Sequence, residues 1–194
     1  QVKTSGRNNF WKQGFMPGRA AGSGRIPKYN TRLFEMVPDF QLNEDRGWAN
    51  QSGVKIVSTP GGTSIVVWND SRDGVTKSYA QLFEAGVPIG ANIKIGPFIR
   101  GIDCDKAGNL IGVWIKSSKA GGAVCFQLYD NLCTAVSEKI TAAEDYYIYD
   151  SDVMFISDGG ILVTWVSRHH QGSPCYLWGR LYDSSGNPAG ERFK

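Results

Sequence analysis

The run Asn69-Asp70-Ser71-Arg72-Asp73-Gly74 places oxygen-bearing side chains at alternate positions ahead of a glycine, as calcium loops do. Asn69, Ser71 and Asp73 are the candidate ligands. The acid that an EF-hand needs at its twelfth position falls on Ala80, so that motif fails. Arg72 stands where it can brace the turn by pairing with Asp70 or Asp73. A structural turn is the favoured reading, and no metal or other cofactor is expected.

Other reactive residue types give little. The two histidines are adjacent, His169-His170, with no cysteine or histidine at zinc-like spacing. A solvated loop is the expectation for them. Gly-x-Ser-x-Gly is absent, and a catalytic triad has no support. Asp103, Asp105, Asp150 and Asp152 offer carboxylates of the kind that glycoside cleavage pairs. Acids recurring near equivalent strands read first as repeat architecture, and the sialidase-type Ser-x-Asp-x-Gly-x-Thr-Trp box is missing. No catalytic residue is assigned, and the expectation is a protein that is not an enzyme.

Cys104, Cys125, Cys133 and Cys175 permit two disulfides in three connectivities. Cys104 with Cys125 or with Cys133 is the preferred pairing, and free buried thiols are the alternative. Among the six tryptophans, Trp48 and Trp178 are the candidates for exposed sugar-stacking platforms.

The elements that carry these residues repeat. Gly-Gly-Thr-Ser-Ile-Val-Val-Trp68, Gly-Asn-Leu-Ile-Gly-Val-Trp114 and Gly-Gly-Ile-Leu-Val-Thr-Trp165 share one layout. Each leads through a polar loop to a second strand: Gln81-Leu82-Phe83-Glu84, Gln127-Leu128-Tyr129-Asp130 and Arg180-Leu181-Tyr182-Asp183. Short apolar pieces precede each Trp strand, and a turn such as Gly86-Val87-Pro88 introduces a last strand. Successive residues of a strand point to opposite faces, so both faces of the Trp strands are largely apolar. That suits a strand sandwiched inside a blade. The fold class expected is all-β, with β-propeller-like repeats of four-stranded antiparallel blades, three full units plus a partial one. The units run over about 53–96, 97–145 and 146–194. Arg32-Leu33-Phe34-Glu35 marks the partial copy, about 31–52, within a repeat domain of 31–194.

Trp68-Asn69-Asp70-Ser71-Arg72-Asp73-Gly74, with Tyr79-Ala80-Gln81-Leu82-Phe83 and Gly86-Val87-Pro88-Ile89-Gly90, resembles the W-x-D-x-R-x-G…Y-A-Q-L…G-x-P-x-G repeat of secreted bacterial propeller-like proteins. The resemblance covers 53–194. It degrades in the later units, where Lys116-Ser117-Ser118 and Ser167-Arg168-His169 replace the Asp-x-Arg element. It implies a fold and an extracellular or cell-surface location rather than a reaction.

Charge divides the chain. Residues 1–32 hold seven basic side chains and no acid, whereas the remainder is mildly acidic. Residues 1–30 read as a basic Gly/Arg-rich arm, and Arg7, Phe10, Trp11, Arg19 and Arg25 are its candidate assembly residues. Phosphate binding by the arm fits poorly with an exported Trp-repeat body, so nucleic acid is not the expected partner. No apolar run has the roughly 20 residues of a membrane helix, so no transmembrane segment is expected. The function expected is a non-catalytic extracellular scaffold mediating protein binding or self-assembly through the arm and open blade edges. A glycan-binding, lectin-like propeller module is the first alternative. A fragment of a propeller-type glycoside hydrolase is the second.

Overall fold

Runs of β-branched and aromatic residues separated by glycine turns leave little material for helices, and the described residues form strands alone. The structure is a computed structural model, and residues 40–45, 47–118 and 121–194 are described. The arm residues Arg7, Phe10, Trp11, Arg19 and Arg25, and most of the partial unit, lie outside the described residues. Phe40–Lys194 packs as one unit. No helix among the described residues is long and apolar enough to cross a membrane.

The eleven strands make three antiparallel sheets. Sheet 1 runs in chain order through β1 (Gln51–Ser58), β2 (Thr63–Asp70), β3 (Lys77–Glu84) and β4 (Val87–Gly96). Sheet 2 repeats that order with β5 (Gly101–Cys104), β6 (Leu110–Ser118), β7 (Gly121–Tyr129) and β8 (Ile140–Asp145). Sheet 3 holds β9 (Tyr147–Phe155), β10 (Ile161–Arg168) and β11 (Tyr176–Tyr182). Its fourth position is filled by two isolated bridges, Tyr182 to Pro188 and Gly179 to Phe193. Sheets of this kind, each joined to the next in sequence, establish an all-β antiparallel architecture; a closed ring is not formed among the described residues.

The Trp strands β2, β6 and β10 are second in their sheets and supply the core. Ile65 and Val67 pack with Leu110 and Tyr129, joining sheet 1 to one face of sheet 2. Ile111, Val113, Val124 and Phe126 pack with Val153, Ile161, Val163 and Trp165, joining the other face of sheet 2 to sheet 3. Each large side chain so buried contributes about 1.5–3 kcal/mol relative to exposure. The outward Trp68, Val66, Tyr79 and Phe83 of sheet 1 are covered in part by Leu42, and the ring of Phe40 lies 6.1 Å from that of Phe83. Burial on both faces holds for β2 and for Leu110–Trp114. In β10 it alternates, because nothing among the described residues covers the outer face of sheet 3, where Met154 and Leu177 are exposed.

The first strands β1, β5 and β9 lie side by side. Glycine makes the approach of β5 to β9 close: a Cβ on Gly101 would stand 2.9 Å from the Asp152 Cα. Asp103 Oδ2 accepts the Phe155 N–H across the same contact at 2.8 Å.

Turns between strands use one device that the sequence reading missed. Asp105 Oδ1 accepts the N–H groups of Ala107 and Asn109, and Oδ2 accepts the Asn109 amide. Asp183 does the same with Ser185 and Asn187, whereas Asp130 accepts only the N–H groups of Leu132 and Thr134, both on Oδ1. This Asp-x-x-Gly-Asn turn needs a left-handed residue at its fourth position, filled by Gly108, Gly186 and, against the usual preference, Cys133 at φ 64°.

Candidate functional site

Glycines open the site. At Gly121 (φ 145°) a Cβ would stand 2.7 Å from the Asp145 carbonyl oxygen, and at Gly122 one would press on Ile148. The start of β7 therefore lies against the tight β8–β9 connection, Asp145-Tyr146-Tyr147, and shallow clefts remain beside it. One, of about 290 Å³, is lined by Lys116, Glu144 and Asp145 among others. A second, of about 180 Å³, is lined by Tyr146 and Tyr147.

Tyr146, Tyr147 and Tyr149 stand in series along the lip. Ring centroids are 4.6 Å apart for Tyr146 and Tyr147, edge to face, and 6.3 Å for Tyr147 and Tyr149. Tyr149 is the extra residue of a bulge between Ile148 and Asp150, which pair with Ser167 and Val166. All three rings are exposed, 38%, 47% and 45% respectively, which a packing role does not require.

Asp145 sits behind this strip with its side chain only 2% exposed. Ser167 Oγ donates to Oδ2 at 2.5 Å, and His169 Nδ1 meets Oδ1 at 2.9 Å. An Arg192 guanidinium nitrogen lies 3.9 Å from Oδ2. Ser167 and His169 thus converge on one carboxylate. A nucleophilic triad would put the hydroxyl on the far imidazole nitrogen instead. Here His169 Nε2 faces Arg192 at 3.4 Å, so the group is a held carboxylate and not a nucleophile relay. His169 lies in the exposed loop that the sequence suggested, its side chain 47% exposed, but the end of β10 also carries it back to the end of β8, a meeting that sequence distance hid.

Trp178 flanks His169, their rings 5.9 Å apart. The backbone N–H and C=O of Gly179 and Phe193 exchange hydrogen bonds at 2.9 Å, which fixes the alternation of Arg192, Phe193 and Lys194. Phe193 fills the space over Gly179, while Arg192 lies 4.3 Å over the Trp178 ring and the Lys194 ammonium 3.5 Å over Tyr176. Trp178 is half-buried against the sheet 2–sheet 3 core, so it supports these cations. Trp48, by contrast, is fully exposed ahead of β1. Sheets 1 and 3 lie on opposite faces of sheet 2, so Trp48 and Trp178 are not brought together.

The Asn69–Gly74 loop is occupied by its own network. Asn69 Oδ1 accepts the Ser78 hydroxyl at 2.6 Å, and Ser71 Oγ accepts the Asn50 N–H at 2.9 Å. Asp73 Oδ2 accepts the Tyr79 hydroxyl at 2.7 Å and faces Lys94. Arg72 pairs with Asp70 at 2.7 Å and lies 4.2 Å over the Tyr79 ring. Burial alone would raise the Asp70 carboxyl; the bonds from Arg72 and from the Trp68 indole outweigh it and hold it down to about 2. Burial, then the Asp73 hydrogen bond, pushes the Tyr79 phenol up to about 12. Among the described residues no cluster of His, Cys, Asp and Glu is arranged to hold a metal ion.

Of the other carboxylates, Asp103 and Asp105 serve the packing and turn contacts described above, Asp150 lies 3.7 Å from Arg100, and Asp152 Oδ1 accepts its neighbour's N–H. The four cysteines are free thiols, which corrects the expected disulfides. Cys125 is buried mid-strand beside Thr141, Cys133 is enclosed in its turn, and Cys175 is exposed at Arg168. Burial pushes the Cys133 thiol up to about 12.

No known family and no curated protein matches the sequence. Among solved structures the chain is similar to an endo-arabinase from Bacteroides thetaiotaomicron, at 11% identity and a TM-score of 0.49, over 73% of this chain and 61% of that one. It is also similar to a glycosyl hydrolase from Bacteroides ovatus, at 9% identity and a TM-score of 0.43, over 73% of this chain and 50% of that one. The chain therefore spans about half to three-fifths of those proteins, and the likeness is one of fold. Both are named as enzymes, where the sequence reading expected a non-catalytic binding or assembly scaffold and no enzyme, with a glycoside hydrolase as its second alternative.

Proposed function

We propose that the chain is part of a propeller-type, carbohydrate-processing protein of the glycoside hydrolase kind, engaging glycan along Tyr146, Tyr147 and Tyr149. The carrying observation is that strip of exposed rings, with Tyr146 and Tyr147 lining one shallow cleft beside a second lined by Glu144 and Asp145. Aromatic faces bind the apolar faces of sugar rings, and adjacent carboxylates accept their hydroxyl protons. Glycosidases work with pairs of Asp or Glu flanking the scissile bond, and Glu144, exposed beside the held Asp145, is of that residue type. On this reading the three sheets are blades, with β1, β5 and β9 as their inner strands. The resemblance of Trp68–Gly90 to secreted bacterial propeller-like repeats supports the same fold and a place outside the cell.

The test is to incubate the full chain with a panel of neutral and acidic polysaccharides, measuring binding and new reducing ends. Binding to at least one polymer, with any chain cleavage lost in Glu144→Gln, is the expected result. Neither binding nor cleavage across the panel would refute the reading.

A further inference from the structure

The side of Asp145 away from the tyrosine strip carries a second chemistry, and it specifies charge. We infer that the glycan this site takes is anionic, bearing a carboxylate or sulfate group that docks on Arg192 and Lys194. The inference rests on the glycan reading above and names the substrate class.

Both cations lie over aromatic rings. The Arg192 guanidinium carbon lies 4.3 Å from the centre of the Trp178 ring, and the Lys194 ammonium 3.5 Å over the Tyr176 phenol. A ring stabilises a cation without neutralising it, so the positive charge remains available to a ligand. Asp145 is the only carboxylate in an ion pair with either cation among the described residues, and its distance from Arg192, 3.9 Å, is too long for a direct hydrogen bond. Asp145 is itself committed to Ser167 and His169. Arg192 keeps 36% of its side chain exposed. Its guanidinium also meets His169 Nε2 at 3.4 Å, and the N–H groups that remain can meet a planar carboxylate or an ester sulfate through two parallel bonds.

The setting reinforces the point. Residues 33–194 carry 14 basic and 18 acidic side chains, so this patch is a local positive feature on a net negative body. The bridge between Gly179 and Phe193 holds Arg192 and Lys194 on one side of the chain, both facing the Trp178–Tyr176 rings. Asp145 then joins the two halves of one site, with tyrosines for the sugar faces and cations for the acidic substituent.

Affinity electrophoresis of the full chain tests this, with polygalacturonate and alginate as uronate probes and dextran sulfate as the sulfate probe. Neutral arabinan and dextran, and single-stranded DNA, complete the set. Binding to one anionic class at least tenfold tighter than to neutral polymers is expected. Arg192→Gln should abolish that preference. Lys194→Gln, at an exposed position, should weaken it severalfold and serves if Arg192→Gln fails to fold. Which anionic polymer binds separates uronate from sulfate. Equal binding of neutral and anionic polymers, unaltered by either variant, would overturn the inference and leave the glycan reading standing. Binding of DNA as tight as that of the best polysaccharide would overturn the sugar class. Binding of none of these polymers would overturn both.

Discussion

The Arg72 guanidinium lies 2.7 Å from the fully buried Asp70 carboxylate and stacks 4.2 Å over Tyr79, so one side chain closes the β2–β3 loop by charge and by ring. Removing it leaves a buried carboxylate with only the Trp68 indole, the Arg72 backbone N–H and a long Gln51 contact. Arg72→Ala is expected to cost about 3 kcal/mol, the cost of stranding one partner of a buried pair. The chemical-denaturation midpoint measures it, and a loss below about 0.5 kcal/mol, the range of ordinary surface changes, would show the pair to be ornamental.

The same pair gives the protein an acid edge. Asp70 titrates near 2 in the folded chain, below the 3.8 of a free side chain. Folded-state depression means that the stabilisation is complete above pH 3.8 and is lost as pH falls towards 2. Asp70→Asn should flatten the dependence of unfolding free energy on pH between about 4 and 2, at a lower stability throughout. An unchanged slope would assign the acid sensitivity to other carboxylates.

Gly101 permits the contact between sheets 2 and 3. A methyl group there would meet the Asp152 backbone at 2.9 Å and the Val113 side chain at 3.0 Å. Gly101→Ala should destabilise by about 1–3 kcal/mol through overpacking. Full retention of the thermal midpoint would show that β5 and β9 can part without cost.

Tryptophan position separates core from surface. Trp165, 1% exposed between sheets 2 and 3, should cost about 3–5 kcal/mol on truncation to alanine. Trp48, wholly exposed, should cost no more than about 0.5 kcal/mol. Comparable losses at both sites, read by thermal unfolding, would contradict the packing described.

The repeat was legible because its Trp strands are apolar on both faces, a pattern that helices and surface hairpins do not show. The brace around Arg72 was legible for a related reason: Asp70, Arg72 and Asp73 lie within four residues, so local chemistry suffices. The Asp-x-x-Gly-Asn turn escaped notice because one copy carries Cys133 and Thr134 in place of glycine and asparagine. The candidate site was not legible. Asp145 meets Ser167 across 22 residues and Arg192 across a longer gap, and only pairing of β9 with β10 brings them together. Tyr146, Tyr147 and Tyr149 were not singled out, since nothing in a tyrosine-rich run says which rings will stay uncovered. The four cysteines suggested disulfides by their even number, yet all are free thiols, although Cys104 packs against the cluster that holds Cys133.

The central claim is that the tyrosine strip binds sugar. Affinity electrophoresis of wild-type protein and of Tyr147→Ala/Tyr149→Ala, against the polysaccharide that retards the wild type most, addresses it directly. Base or sugar stacking on an exposed ring contributes about 1–3 kcal/mol, so loss of both rings should weaken retardation at least tenfold while the thermal midpoint holds. Equal retardation of the two proteins would contradict the account.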